Sequence, residues 1–112
     1  MGVDVTLVQV SQKGTSSKGR RLTRLDSVWD SDDLFADMCS HSGLPMLNRV
    51  DPYRTQILTA DEMAQFIAEL DATWETLDQR KDRKGRDLLQ SMRVLAERCA
   101  SASDLELHLV GD

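Results

Sequence analysis

Two short segments with alternating apolar residues lie near opposite ends of this 112-residue chain. Near the start, Val3, Val5 and Leu7 alternate with polar residues, and near the end residues 105–110 (Leu-Glu-Leu-His-Leu-Val) do the same. An alternation with a period of two is typical of a strand that buries one face. Two strands alone form only a marginal sheet, so we expect these segments to pair and helices to cover one face of the sheet.

The clearest helix signal lies in the middle of the chain. Thr59 followed by Glu62 fits a capping box. In this motif the Thr59 side chain accepts from the backbone N–H of Glu62, and the Glu62 side chain accepts from the backbone N–H of Thr59. Apolar residues then recur at intervals of three and four, which is the spacing of one buried helical face. These residues are Met63, Phe66, Ile67, Leu70, Trp74 and Leu77.

Two further helices are predicted on either side of it. Asp30 or Ser31 can cap a first helix that runs to about Ser42. Residues 80–86 interrupt the apolar pattern and include Gly85, so they predict a surface hinge. A third helix is expected from about Arg86, with Leu88, Met92, Leu95 and Cys99 on its apolar stripe.

The expected fold is therefore a single α+β domain over residues 1–112, in the order β-α-α-α-β. A third strand could lie in residues 20–28 or in residues 55–58. The segment from Arg21 to Trp29 leaves the choice between an extended strand and a short helical turn open.

Composition and charge narrow the classes of function. The apolar fraction of 40% and the net charge of −5 are typical of a globular chain. The acidic balance makes a dedicated nucleic-acid binder an unfavourable hypothesis. The first residues lack the pattern of a signal peptide and no segment is long and apolar enough to span a bilayer, so a cytoplasmic location is expected. Cys39 and Cys99 are then expected as two buried thiols.

Ten of the fourteen lysines and arginines fall into two short segments, residues 13–24 and residues 80–86. A surface shared by both could bind phosphate or an acidic partner, whereas two separate solvated loops would not. The first segment also contains Gly14 and Gly19 at the spacing of a phosphate-binding loop. However, Arg20 and Arg21 stand where that motif requires lysine and a hydroxyl residue.

Other chemistries have weaker support. Cys39, His41, Cys99 and His108 lack the close spacing of structural zinc ligands, and no nucleophile elbow is present. The sequence therefore predicts no catalytic residue, no metal site and no cofactor.

The run Ser42-Gly43-Leu44-Pro45-Met46-Leu47-Asn48-Arg49-Val50-Asp51-Pro52-Tyr53 and the ending in Gly-Asp resemble a group of small bacterial proteins of actinobacterial type. The resemblance covers most of the chain and implies no activity and no catalytic residue. Within this run, Arg49, Asp51 and Tyr53, together with Arg54, are candidate binding residues, because binding residues concentrate in connecting loops. The alternative interpretation is that Asp51 and Pro52 shape a turn and that Tyr53 packs over the core.

These observations favour a non-enzymatic protein that binds a protein partner or associates with itself. An immunity or antitoxin-type protein that neutralises a basic partner is one alternative. The other is a binder of small molecules, phosphate or nucleotides that uses the basic loop 13–21, with Lys18, Arg20 and Arg21 as its contacts. Nucleic acid and membrane are not expected partners.

Overall fold

A computed structural model describes residues 2–12 and 20–111, and only the backbone of Gln12, Arg20 and Ser31. These residues form four strands and four helices, and the fold is α+β as expected. The strands are β1 (Asp4–Gln12), β2 (Arg20–Val28), β3 (Thr55–Thr59) and β4 (Leu105–Val110). The helices are α1 (Leu34–Ser40), α2 (Pro45–Asn48), α3 (Met63–Gln79) and α4 (Arg83–Ala100). Among the described residues, no helix is long and apolar enough to cross a membrane.

The two segments with alternating apolar residues form the centre of the sheet. The strand order is β2-β1-β4-β3, and every neighbouring pair is antiparallel. Val5 lies opposite Leu109 and Leu7 opposite Leu107, so the buried faces of β1 and β4 coincide. The predicted pairing of the two ends of the chain is confirmed.

The predicted order β-α-α-α-β is wrong, because both candidate segments for a third strand are strands. Residues 20–28 form a hairpin partner of β1, and β3 adds to the far side of β4. The short helix α2 also precedes β3, which gives the order β-β-α-α-β-α-α-β. Both added strands lie at sheet edges, where few of their residues are buried, so neither has the alternation that marks β1 and β4.

The capping box at the start of α3 is confirmed. The Thr59 side chain accepts from the backbone, and the backbone N–H of Thr59 donates to Oε1 of Glu62 over 3.1 Å. A single 3-10 turn, Ala60–Glu62, leads from this cap into α3. Met63, Phe66 and Leu70 are fully buried against the sheet, as their spacing predicts.

The predicted surface hinge over residues 80–86 is wrong in extent, because α4 begins at Arg83. The chain turns at Lys81, which has the left-handed φ of 56°. The Asp82 side chain then accepts from the backbone N–H of Gly85 over 3.0 Å and caps the helix. Gly85 is itself buried, because its Cα faces Leu77 at the end of α3. The glycine therefore allows two helices to approach closely and does not form a hinge.

A buried carboxylate joins α1 to the start of β1. Asp30 accepts from the backbone N–H groups of Phe35 (2.7 Å) and Ala36 (2.9 Å), and from that of Val3 (2.9 Å). The prediction that Asp30 caps the first helix is confirmed, because its carboxylate accepts from N–H groups of the first turn. The helix α1 itself begins four residues after Asp30 and ends at Ser40, not at about Ser42. Unpaired N–H groups at a helix start are costly to bury, and this carboxylate satisfies two of them.

A second buried carboxylate caps the start of α2. The sequence does not predict this short helix. Glu69 of α3 accepts from the backbone N–H of Met46 (2.9 Å) and of Leu47 (3.0 Å) at the start of α2. Gln65, one turn earlier on α3, also donates to Glu69 over 2.9 Å. The side chain that caps α2 therefore comes from another helix, more than twenty residues away in sequence.

The open face of the sheet as candidate functional site

The helices cover only one face of the sheet. The core contains Val5 and Leu7 of β1 and Leu105, Leu107 and Leu109 of β4, packed against α1 to α4. Alternation along each strand directs the intervening residues to the other face. Within the described ranges, none of those intervening side chains belongs to the core cluster. We call this second surface the open face.

The strand register arranges the open face in rows that run across the sheet. The first row is Thr55, Val110 and Asp4, the second Ile57, His108, Thr6 and Ser27, the third Thr59, Glu106, Val8 and Arg24, and the fourth Val10 and Leu22. The fourth row lies on the β1–β2 hairpin alone, because pairing between β1 and β4 reaches only to Gln9. The hairpin therefore extends beyond the rest of the sheet.

Large apolar side chains are exposed on the open face and at its border. Leu22 is 55% exposed and Ile57 is 49% exposed, and Val110 is also exposed. Trp29, which follows β2 directly, is 67% exposed. Between them Val8 is buried, although it lies outside the core cluster. These exposed residues lie around the border of one surface, and several exposed apolar side chains on one surface are a feature of protein interaction sites.

Polar contacts occupy the middle of the open face. Nε2 of His108 lies 3.1 Å from Oε1 of Glu106, and both side chains are largely buried. Between β1 and β2, the hydroxyl oxygens of Thr6 and Ser27 lie 3.4 Å apart. These groups bind one another within the sheet. The open face therefore offers apolar contact area at its border and side chains already held in place at its centre.

The predicted binding loop lies beside one end of the open face. Asp51 organises a turn, since its Oδ1 accepts from the backbone N–H of Tyr53 (2.8 Å) and its carbonyl from that of Arg54 (3.2 Å). The turn at Asp51 and Pro52 is confirmed. The sequence also offered the interpretation that Tyr53 packs over the core, and this is wrong, because Tyr53 is 64% exposed. Arg49 and Arg54 are exposed as well.

Arg21, the residue of the predicted loop site whose side chain the structure describes, does not join this turn. Lys18 lies outside the described residues, Arg20 is described by its backbone alone, and Arg21 is exposed on β2. Arg21 lies opposite Ser11, seven residues along β1 from Asp4, whereas Thr55 is in the same row as Asp4. Seven residues of strand span about 23 Å. A single ligand site made from Arg21, Arg49 and Arg54 would have to bridge that length.

The second basic segment is also far from the first. Residues 80–86 lie at the start of α4, whereas Arg98 near the end of α4 contacts Asp26 of β2, with 3.2 Å between Nη1 and Oδ2. Helix α4 has 18 residues, which is about 27 Å of helix. The described parts of the two basic segments therefore lie at opposite ends of the molecule.

The cysteines are buried and held in their thiol form. Both are free, as expected. Burial raises the pKa of Cys39 to about 12, and the charges of Asp30 and Glu69 add to this effect. Burial also raises the pKa of Cys99 to about 11, with a smaller contribution from Glu106. A thiol with such a pKa is a poor nucleophile near neutral pH, because the thiolate is the reactive species.

A groove of about 770 Å³ between α1 and α3 is the main alternative site. Met38, Leu44 and Leu77 contribute its apolar lining. Its polar groups are largely committed, because the hydroxyls of Thr73 and Thr76 donate to carbonyls of their own helix. Ligand sites usually aim several polar groups at one point, and this groove lacks such a set. Among the described residues, no cluster of histidine, cysteine, aspartate and glutamate could hold a metal ion.

Comparison with protein families, with curated proteins and with solved structures finds no match to this chain. The resemblance to small bacterial proteins of actinobacterial type stays a prediction. The sequence does not predict the open face, because Leu22 and Ile57 lie on edge strands without alternation. The spacing of Leu22, Leu25 and Trp29 in one charged segment was the available signal.

Proposed function

We propose that this protein is a non-enzymatic binding module of the cytoplasm that recognises a protein partner through the open face of its sheet. The observation that carries the proposal is the group of exposed apolar side chains on and beside this face, Leu22, Trp29, Ile57 and Val110. Aromatic residues are enriched at protein interfaces relative to the rest of the surface. Tyr53 extends this surface at the end where Val110 lies.

The geometry favours a protein partner over a small molecule. A sheet face is broad and shallow, whereas small ligands bind in concave sites with converging polar groups. The separation of Arg21 from Arg49 and Arg54 also removes support for a composite phosphate site. An immunity or antitoxin-type role is a narrower version of the same proposal, and the net charge of −5 supports a basic partner in that case.

The test compares partner capture by matched variants. Leu22→Glu places a charge on the open face, whereas Val94→Glu places the same charge on an exposed valine of α4, which is 47% exposed. The wild-type chain and Val94→Glu should recover the same stoichiometric protein from a lysate of the source cells. Leu22→Glu should recover at least about tenfold less, because a charge that the partner covers without pairing it is strongly unfavourable.

A direct measurement on the recovered partner completes the test. Trp29 is the more exposed of the two tryptophans, so its fluorescence should shift to shorter wavelength when the partner covers it. Equal capture by Leu22→Glu and Val94→Glu would contradict the proposal. The same conclusion would follow if the wild-type chain recovered no stoichiometric protein.

A further inference from the structure

We infer that two copies of this chain pair through β3, edge to edge, and so join their sheets into one. The inference deepens the proposed function, since it names a second copy as one partner, but it uses a different surface. The backbone groups of this pair lie along the free edge of β3, whereas the proposed partner covers the broad open face, and Ile57 takes part in both.

The backbone of β3 presents unpaired groups along this edge. The backbone N–H of Gly111 donates to the carbonyl of Arg54 over 3.0 Å, so Arg54 points its backbone towards β4. Backbone direction alternates along an antiparallel strand, and Thr55, Ile57 and Thr59 therefore point away from β4. The Thr59 N–H fits this direction but already donates to Glu62, so the N–H groups of Thr55 and Ile57 are the donors that this edge offers. In the described part of the chain, no element other than β4 pairs with β3, so this edge has no strand beside it.

The sequence of β3 is complementary to itself. In an antiparallel pair centred on Ile57, Thr55 of one copy lies opposite Thr59 of the other, and the two Ile57 residues face each other. Thr55, Ile57 and Thr59 are also the residues whose backbone points to the free edge. The register that matches the side chains is therefore the register that brings their backbones together. Cross-strand pairs of threonines and of β-branched apolar residues are favourable. β3 also contains no charged residue and no proline.

The opposite edge of the sheet lacks this complementarity. β2 carries Arg21, Arg24 and Asp26, and its register shifts between the positions opposite Leu7 and Val8, which is a β-bulge. Charges and bulges on edge strands prevent pairing with other chains. A symmetric pair of β2 strands centred on Arg24 would place two guanidinium groups opposite each other. The protein therefore protects one edge and leaves the other available.

The symmetry of this pair keeps both open faces on the same side. A two-fold axis perpendicular to the sheet relates the copies, and the four-stranded sheets join into one of eight strands. Such an interface is closed, because each copy uses the same strand. A strand of five residues is small beside the roughly 20 to 30 residues a side of a standard interface. The dimer should therefore form reversibly and depend on protein concentration.

Sedimentation velocity of the full chain over a series of concentrations tests the inference. The wild-type chain should shift from monomer to dimer as concentration rises. Ile57→Lys should raise the dissociation constant at least about tenfold, because two lysines would face each other at the centre of the pair. Val94→Lys is the matched control, since Val94 and Ile57 are almost equally exposed (47% and 49%), and it should dimerise like the wild type.

Disulfide trapping tests the register itself. Hydrogen-bonded partners in an antiparallel pair have Cα atoms about 5.5 Å apart, which a disulfide can bridge. Under mild oxidation Ile57→Cys should give a covalent dimer, and Val94→Cys should not.

A wild-type chain that stays monomeric at every concentration would overturn the inference. A dimer that Leu22→Glu disrupts and Ile57→Lys leaves intact would also overturn it, because the copies would then meet through their open faces. A wild-type chain that dimerises but captures no stoichiometric protein from the lysate would contradict the proposed function alone.

Discussion

At the scale of single residues, two buried carboxylates hold helices that are too short to be stable alone. α1 has seven residues and α2 has four, and helices of this length are marginal in water. Asp30 and Glu69 supply acceptors for the N–H groups at their starts. Both carboxylates are almost fully buried, so their hydrogen bonds replace the water that each group loses.

Glu69→Gln should lower the free energy of unfolding by about 1–3 kcal/mol. The amide oxygen can take the place of Oε1, which accepts from both Met46 and Leu47, but the amide NH2 group then replaces Oε2 and faces the Gln65 N–H group that Oε2 accepts. The negative charge beside the start of α2 is also lost. Urea denaturation followed by circular dichroism measures the change. Glu75→Gln, at an exposed position of the same helix, is the control and should stay within about 0.5 kcal/mol of the wild type. Equal effects of the two substitutions would show that Glu69 does not act as a cap.

At the scale of elements, the turn after α2 is packed directly against the end of β4. A Cβ atom added at Gly111 would lie 2.6 Å from the carbonyl carbon and oxygen of Pro52 and 2.7 Å from the carbonyl oxygen of Arg54. These are backbone atoms, which cannot move aside as a side chain can. The close approach fixes the turn that presents Tyr53 beside the open face.

Gly111→Ala should therefore destabilise the fold by about 1–3 kcal/mol through steric overlap. Thermal unfolding should show a lower Tm, with the amide resonances of Tyr53 and Arg54 shifted in the NMR spectrum. Gly43→Ala provides the comparison, because a Cβ atom there meets nothing within 4 Å. That variant should be neutral or slightly more stable, since alanine reduces the entropy of the unfolded chain. A Gly111→Ala variant as stable as Gly43→Ala would rule out the tight contact.

The elements that the sequence predicted are those that bury a regular face. β1, β4 and α3 have apolar residues at the period of their secondary structure, and all three were predicted. β2 and β3 are edge strands, so Leu22, Leu25 and Ile57 remain exposed and give no periodic pattern. The start of α4 was placed three residues late because Gly85 looked like a break, whereas its packing against Leu77 depends on tertiary structure.

Of the candidate site, the sequence predicts only the exposed turn beside it. The sequence placed Asp51 in a turn and Tyr53 in a connecting loop, and both positions agree with the structure. The open face could not be predicted, because it depends on which strands lie side by side. Pairings such as Ile57 with His108 join residues about fifty positions apart, and no local pattern encodes them.

At the scale of the whole molecule, the most protected strands should be the two from opposite ends of the chain. β1 and β4 each have a strand on both sides, whereas β2 and β3 each have one free edge. Backbone amides of Thr6 and His108, which face each other across the β1–β4 pair, should exchange with solvent only on global unfolding, and those of Leu22 and Ile57, which point to the free edges, much faster. Hydrogen exchange followed by NMR measures this order. Amides of β4 that exchange as fast as those of β3 would contradict the central position of β4.

The pairing of β1 with β4 also has a consequence for the ends of the chain. Asp4 lies directly opposite Val110, so the two termini of the described fold leave the same corner of the sheet. Bringing segments about a hundred residues apart together has a loop-closure entropy of roughly 4 kcal/mol. A peptide linker between residues 2 and 111 would remove most of that loss. A circular permutant reopened at the exposed Gly43 would then turn the longest-range pairing of the fold into a local hairpin.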